Sequence, residues 1–153
     1  MDVAARQREG KGRAAGPVVV GVDGSKASDA ALEWAAEEAR MRGATLRVVH
    51  SWSLPTWSYS AYLPPVAFEE VEPAAREDLD RQVAQVLGPS PDVRVEKELR
   101  EGPAAEQILD AAADAALVVV GSRGRGGFAG LLLGSVSAQV VQHAHCPVTI
   151  VRT

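Results

Sequence analysis

Apolar positions fall into two rhythms along the chain. Five short runs carry strand-type residues: VVVGV at 18–22, LRVVHSW at 46–52, VRVEKEL at 93–99, LVVVG at 117–121 and VTIV at 148–151. The first and fourth are apolar without alternation, as expected of central strands covered on both faces. VRVEKEL alternates, which suits a strand nearer an edge. Between the runs the period lengthens to that of a helix. Over 26–42, Leu32, Ala35, Ala36 and Ala39 share one face and Gly43 supplies a stop signal. A second helix is predicted over 69–87, where Leu79, Val83, Val86 and Leu87 line up. A third runs from Pro103, a residue favoured in a first helical turn, to Asp114. The fourth spans 135–144 and ends before Pro147.

Strict alternation of strand and helix implies parallel strands joined by right-handed crossovers, which is a doubly wound, Rossmann-like α/β sheet with helices on both faces. In such sheets the ligand sits at the carboxyl ends of the strands, where the winding reverses. Five strands commonly take the order 3-2-1-4-5 or 2-1-3-4-5. The first order brings the end of strand one, VDGS, beside the end of strand four, GSRGRGG, and is the one expected here. Those are the two most ligand-like loops in the chain.

Composition narrows the picture. A chain of 153 residues with 46% hydrophobic and 24% charged residues suits one globular domain with a real core. No apolar run approaches the roughly 18 residues of a membrane-spanning helix. The opening MDVAARQREGKGRAAGP has charge and glycine where a signal peptide needs an apolar core, so the expectation is a soluble, cytoplasmic protein without a membrane partner. One cysteine, Cys146, cannot form an internal disulfide and reads as a small buried apolar side chain; with three scattered histidines it gives no metal-ligand spacing. Residues 1–16 carry Arg6, Arg8, Lys11 and Arg13 against Asp2 and Glu9 without periodicity, and read as a disordered basic tail ahead of a domain at 17–153. Removing those four bases and two acids from totals of 16 and 20 leaves 12 and 18, so the domain is more acidic than the net charge of −4 suggests. That balance disfavours nucleic acid as a partner.

The stretch GSRGRGGFAGLLLGSVS, 121–137, is the candidate for chemistry. Glycines let a backbone approach a ligand, and a helix N-terminus offers unpaired N–H groups with a partial positive charge, so together they make an anion site. Gly121, Gly124, Gly126 and Gly127 open the loop, and Gly134, Ser135, Val136 and Ser137 open the next helix. Arg123 and Arg125 lie in the loop, and no acidic residue occurs from Ala115 to Thr153. Each arginine is either a phosphate contact or a solvated loop charge. A plain linker would not carry FAGLLL, a run that wants burial. The dinucleotide fingerprint is formally present at Gly124-x-Gly126-x-x-Ala129. It follows the fourth strand instead of the first, however, and no acid lies about 20 residues on to hold a ribose. A Walker loop, G-x-x-x-x-G-K-[ST], is absent. What remains is a split cradle closing on a polyphosphate from two sides.

Gly121-x2-Gly124-x9-Gly134-Ser135 resembles the nucleotide-binding signature of the universal stress protein family in spacing and in position before the last helix and strand. VVVGVDGS resembles that family's first strand and acid, EGPAAEQIL its third helix start and HCPVTIVR its last strand. The resemblance covers residues 18–152. It implies ATP, with or without Mg²⁺, as the ligand of a stress-response signalling or energy-sensing module. Adenosine would lie near Gly21, Val22 and Asp23, with Asp23 accepting hydrogen bonds from the ribose; an Asx-turn or helix cap is the alternative for this residue. Backbone near His50 and Ser51 would face the adenine. Gly121, Ser122, Arg123, Gly124, Gly134, Ser135, Val136 and Ser137 would surround ribose and phosphates, and Ser135 can also serve as a helix N-cap. Other readings are a nucleotide-free interaction module and a cyclic-AMP binder on the same scaffold. No general base is evident beside the cradle, since His143 and His145 lie at the far end of the last helix. A dedicated catalytic centre is therefore not expected, while slow ATP hydrolysis or self-phosphorylation stays open.

Two further features point outward. The segment SWSLPTWSYSAYLPPVAFEE, 51–70, holds five of the chain's seven aromatics, Trp52, Trp57, Tyr59, Tyr62 and Phe68. It could be a lid, a partner contact or satellite packing. The last strand, at a sheet edge with Val148, Ile150 and Val151, invites pairing with a second copy, and the resemblance likewise implies a homodimer through it.

Overall fold

The computed structural model describes residues 16–54, 69–124 and 133–153; the basic tail and most of the aromatic segment and of the FAGLLL run lie outside them. Nine elements alternate: β1 (Val18–Val22), α1 (Lys26–Arg42), β2 (Leu46–Trp52), α2 (Val71–Leu87), β3 (Val95–Glu101), α3 (Ala104–Ala111), β4 (Leu117–Gly121), α4 (Ser135–His143) and β5 (Val148–Val151). The strands form one parallel sheet in the order β3-β2-β1-β4-β5, the expected arrangement.

Strand parity divides the core into two layers. Val18, Val20, Val22, Leu46, Val48, Leu117 and Val119 face α1 and α2, and pack with Leu32, Ala35, Leu79 and Val83. Val19, Val49, Val118 and Val120 face α3 and α4, against Ala105, Ile108 and Val140. Burial on both faces is why β1 and β4 can be uniformly apolar. The buried face of α1 is mostly alanine, which lets the helix lie close to the sheet. Its end follows the sequence signal, for Gly43 caps it at φ 62°.

β3 differs from its expected span of 93–99 by two residues. Its ladder is fixed by β2, pairing Leu46 with Val95 and Trp52 with Glu101, so Val93 precedes the ladder while Arg100 and Glu101 extend it. Charged residues are tolerated there because β3 is an edge. α3 is also shorter than its predicted 103–114: Pro103 is its N-cap residue, and the helix ends at Ala111, Ala112 donating to the carbonyls of Ile108 and Leu109.

At the amino ends of the strands, Arg47 binds Asp114 at 2.7 Å and the carbonyl of Ala111 at 2.8 Å, with Glu96 and Glu98 within 3.4 Å. The hydrogen bond from Arg47 holds the Asp114 carboxyl below its ordinary range. This charge cluster lies at the opposite end of the sheet from the loops after β1 and β4.

Candidate functional site

The loop after β1 is assembled by local polar chemistry. Gly24 turns the chain at φ 81°, a value glycine adopts without penalty. Asp23 Oδ1 accepts from Ser25 N–H at 3.0 Å, an Asx-type contact, so the alternative weighed for this residue is present in the structure. Ser25 is the N-cap of α1 and accepts from Ser28 N–H. The buried Ser28 hydroxyl donates to Ser25 O at 2.9 Å and accepts from Asp23 N–H at 3.2 Å. The carboxylate of Asp23 is thereby aimed by the first turn of α1.

The loop after β4 meets it across a gap too narrow for side chains. A Cβ built on Gly124 would lie 2.7 Å from Asp23 Oδ2, and one on Gly121 would lie 3.0 Å from the backbone of Ala27. At Gly121 a side chain would press on the α1 backbone, and at Gly124 it would displace the Asp23 carboxylate. Gly134 differs: a Cβ there would meet other atoms only at 3.6 Å, and its φ of −71° suits any residue. The protein's own packing does not demand a glycine at 134.

α4 starts into the cleft. Gly134, and not Ser135, is its N-cap, with no side-chain cap bond; Ser135 is the first helical residue and exposed. The helix offers no acceptor to the N–H groups of its first turn, Ser135, Val136 and Ser137. Ser137 is buried, and its hydroxyl is engaged inside the protein, 3.0 Å from Gly134 O and 3.2 Å from Ser122 O. Arg123 is exposed at the rim.

Together these elements line a single cleft that opens to solvent. Eleven of the thirteen residues singled out from sequence line it: Gly21, Val22, Asp23, Ser51, Gly121, Arg123, Gly124, Gly134, Ser135, Val136 and Ser137. His50 and Ser122 do not. His50 Nδ1 lies 2.9 Å from Val22 O, which can only accept, so Nδ1 carries the proton. The His50 ring faces a neighbouring cavity beside α2. His50 and Ser51 lie inside β2, within the run expected at 46–52, opposite Leu99 and Arg100. Ser122 is buried under the cleft and supports it through its peptide, accepting from Gly134 N–H at 2.7 Å and donating to Val151 O at 2.8 Å.

Sequence reasoning missed Ser28, Val49, Ala104, Ile108 and Val120, the last four forming an apolar wall. One signal for that wall was present. Gly21 interrupts a run of valines because Ile108 Cδ1 lies 2.4 Å from where its Cβ would be, a close approach of the kind that glycine within a strand marks.

A cleft at the reversal point of a 3-2-1-4-5 sheet, with a carboxylate on one wall and a glycine loop and helix start on the other, fits the sequence resemblance, and comparison with known proteins decides the family. The model of the universal stress protein family matches residues 15–152. The chain belongs to the universal stress protein family. A universal stress protein of Mycolicibacterium smegmatis is 42% identical over 138 residues, covering 89% of this chain and 45% of that relative. The chain thus spans about half the length of the curated relatives it matches. The universal stress protein of Archaeoglobus fulgidus in complex with dAMP is similar at a TM-score of 0.54 and 28% identity, covering 89% of this chain and 97% of that one. A universal stress protein in complex with cAMP is similar at 0.58 and 26%, covering 90% and 96%. Among the described residues of this universal stress protein, no helix is long and apolar enough to cross a membrane.

Proposed function

We propose that this universal stress protein binds ATP in the cleft between Asp23 and the start of α4, and acts as a stress-response signalling or energy-sensing module without a dedicated catalytic centre. The observation that carries the reading is Gly134. A glycine where the fold has room for a Cβ, at the N-cap of a helix aimed into a cleft, is accounted for by a ligand that comes within contact of the backbone. The N–H groups of Ser135, Val136 and Ser137 and the side chain of Arg123 suit phosphate oxygens. Asp23, held in place by α1, suits the ribose hydroxyls. The apolar wall of Val49, Ile108 and Val120 suits a base, with Ser51 at its edge. Mg²⁺, where it accompanies ATP, would be held chiefly by phosphate oxygens and water, its usual ligands beside a nucleotide.

The dAMP and cAMP bound by relatives support an adenine nucleotide as the ligand class. Denaturing the purified protein and identifying what is released tests the choice. ATP supports this reading and cyclic AMP would replace it. An empty protein that also fails to bind ATP in calorimetry with magnesium would leave an interaction module. Steady-state phosphate release at ~1 per second or faster would contradict the absence of a catalytic centre.

The two sheet edges support a homodimer through β5. β3 is guarded by Arg94, Glu96, Lys97, Glu98 and Arg100, whereas Val148, Thr149, Ile150 and Val151 carry no charge and are only half-buried. Sedimentation at tens of micromolar should give a dimer, and a monomer would refute it.

A further inference from the structure

The Asp23 loop is tied down from outside by one side chain. Gln82 lies on α2, where the other buried positions, Ala75, Leu79 and Val83, are apolar. It is only 6% exposed, and its amide is engaged entirely on the β1–α1 segment. Oε1 accepts from Gly24 N–H at 3.0 Å, and Nε2 donates to Ser28 Oγ at 2.8 Å and to Asp29 Oδ1 at 2.7 Å. The Ser28 oxygen that receives this bond is the one that accepts from Asp23 N–H. The task requires an acceptor and two donors on one uncharged head, which a carboxamide supplies. A carboxylate would lack the donors and face Asp29, and a lysine or arginine could not accept from Gly24. A buried polar group in an apolar stripe costs stability unless fully bonded, so its bonds locate its purpose.

We propose that Gln82 is the positioning residue of the nucleotide cleft: by gripping Gly24, inside the turn that Asp23 opens, and Ser28, in the first turn of α1, it sets where the ribose-reading carboxylate stands. The inference rests on the ATP reading above. Gln82 does not line the cleft itself but the neighbouring cavity, with Asp23, Asp29 and His50, so its influence on ligand passes through Asp23.

The test uses the full chain, calorimetry and two ligands, ATP and dideoxy-ATP, which lacks both ribose hydroxyls. The wild type is expected to prefer ATP by about tenfold, and Gln82→Met to lose about tenfold in ATP affinity while keeping its affinity for dideoxy-ATP within about twofold. The preference then collapses although the melt stays cooperative. Adding Gln82→Met to Asp23→Asn should cost nothing further, since both act on one contact. A Gln82→Met protein that keeps the wild-type preference, or loses both ligands equally, overturns the inference by showing a merely structural role. Should Gln82→Met not fold, Gln82→Glu carries the same comparison, because it retains the acceptor for Gly24 and abolishes both donors. Wild-type protein that binds neither ligand refutes the ATP reading, and the inference with it; binding with an unmoved preference refutes the inference alone.

Discussion

The two walls of the cleft are built by different means. On the Asp23 side, side chains do the holding: Asp23, Ser25, Ser28, His50 and Gln82 each bond backbone or one another between Val22 and Asp29. On the glycine side, the described contacts all run to backbone carbonyls: Gly134 N–H and Ser137 Oγ reach Ser122 O, Ser137 Oγ also lies near Gly134 O, and Ser122 N–H reaches Val151 O. One wall arrives with its polar groups satisfied and its carboxylate aimed. The other presents helix-start N–H groups that the helix leaves without partners. On the proposed ATP reading, the first wall would supply geometry and the second binding energy, released when the ligand completes its N–H groups.

Four substitutions bear on that division. Gly124→Asp should have the largest effect, because the new side chain starts 2.7 Å from Asp23 Oδ2 and brings a second carboxylate into a cleft meant for phosphate. ATP affinity should fall at least about a hundredfold by calorimetry, and retained affinity would show the walls misassigned. Asp23→Ala comes next, removing both the proposed ribose partner and the turn contact to Ser25. It should weaken ATP about tenfold or more and lower stability by about 1 kcal/mol in a denaturant titration. Gly134→Ala is the sharpest probe of the glycine wall. The methyl fits the protein, so stability should drop by no more than about 1 kcal/mol, the difference between glycine and alanine at an N-cap. ATP affinity should nevertheless fall about tenfold, and an unchanged isotherm would remove the main support for a phosphate there.

The smallest effect is expected far from both walls. Asp114→Asn loosens Arg47 at the amino ends of the strands and should leave the ATP isotherm unchanged within error. Its signature is acid sensitivity. A carboxyl held low in the folded protein contributes stability above its unfolded value and loses it as pH falls through the lower folded value. Wild-type stability should therefore drop more steeply below about pH 4 than that of Asp114→Asn, which lacks this contribution at every pH.

How far the sequence foretold all this follows from where each piece of information resides. Strand and helix rhythms are local, so the elements could be read directly, and the glycine loop announced itself because its anomaly is compositional; the sheet order is non-local and was chosen between two common ones by bringing the two ligand-like loops together. β3 was displaced by two residues because its bounds belong to its partner: Val93 alternates well enough, yet β2 starts at Leu46 and pairs with Val95. Ile108 and Val49 escaped notice because an apolar residue in a helix or strand looks alike whether it faces core or ligand; only Gly21 hinted at the wall. His50 entered the reading through its backbone alone, and the engagement of its ring on Val22 O had no local signal. Gln82 sits 58 residues from the loop it grips, a relation that no local pattern encodes.

Ser122 lends the molecule a property that no residue of the cleft has alone. Its N–H is bonded to Val151 at the outer edge strand, and its carbonyl to Gly134 at the start of α4. One residue, with the two peptide units that meet at its Cα, therefore spans the distance between the surface where another molecule could add a strand and the rim where phosphate would sit. A shift of the edge strand reaches the cradle through only the φ and ψ of Ser122, so the two surfaces are separated by a single pair of backbone rotations.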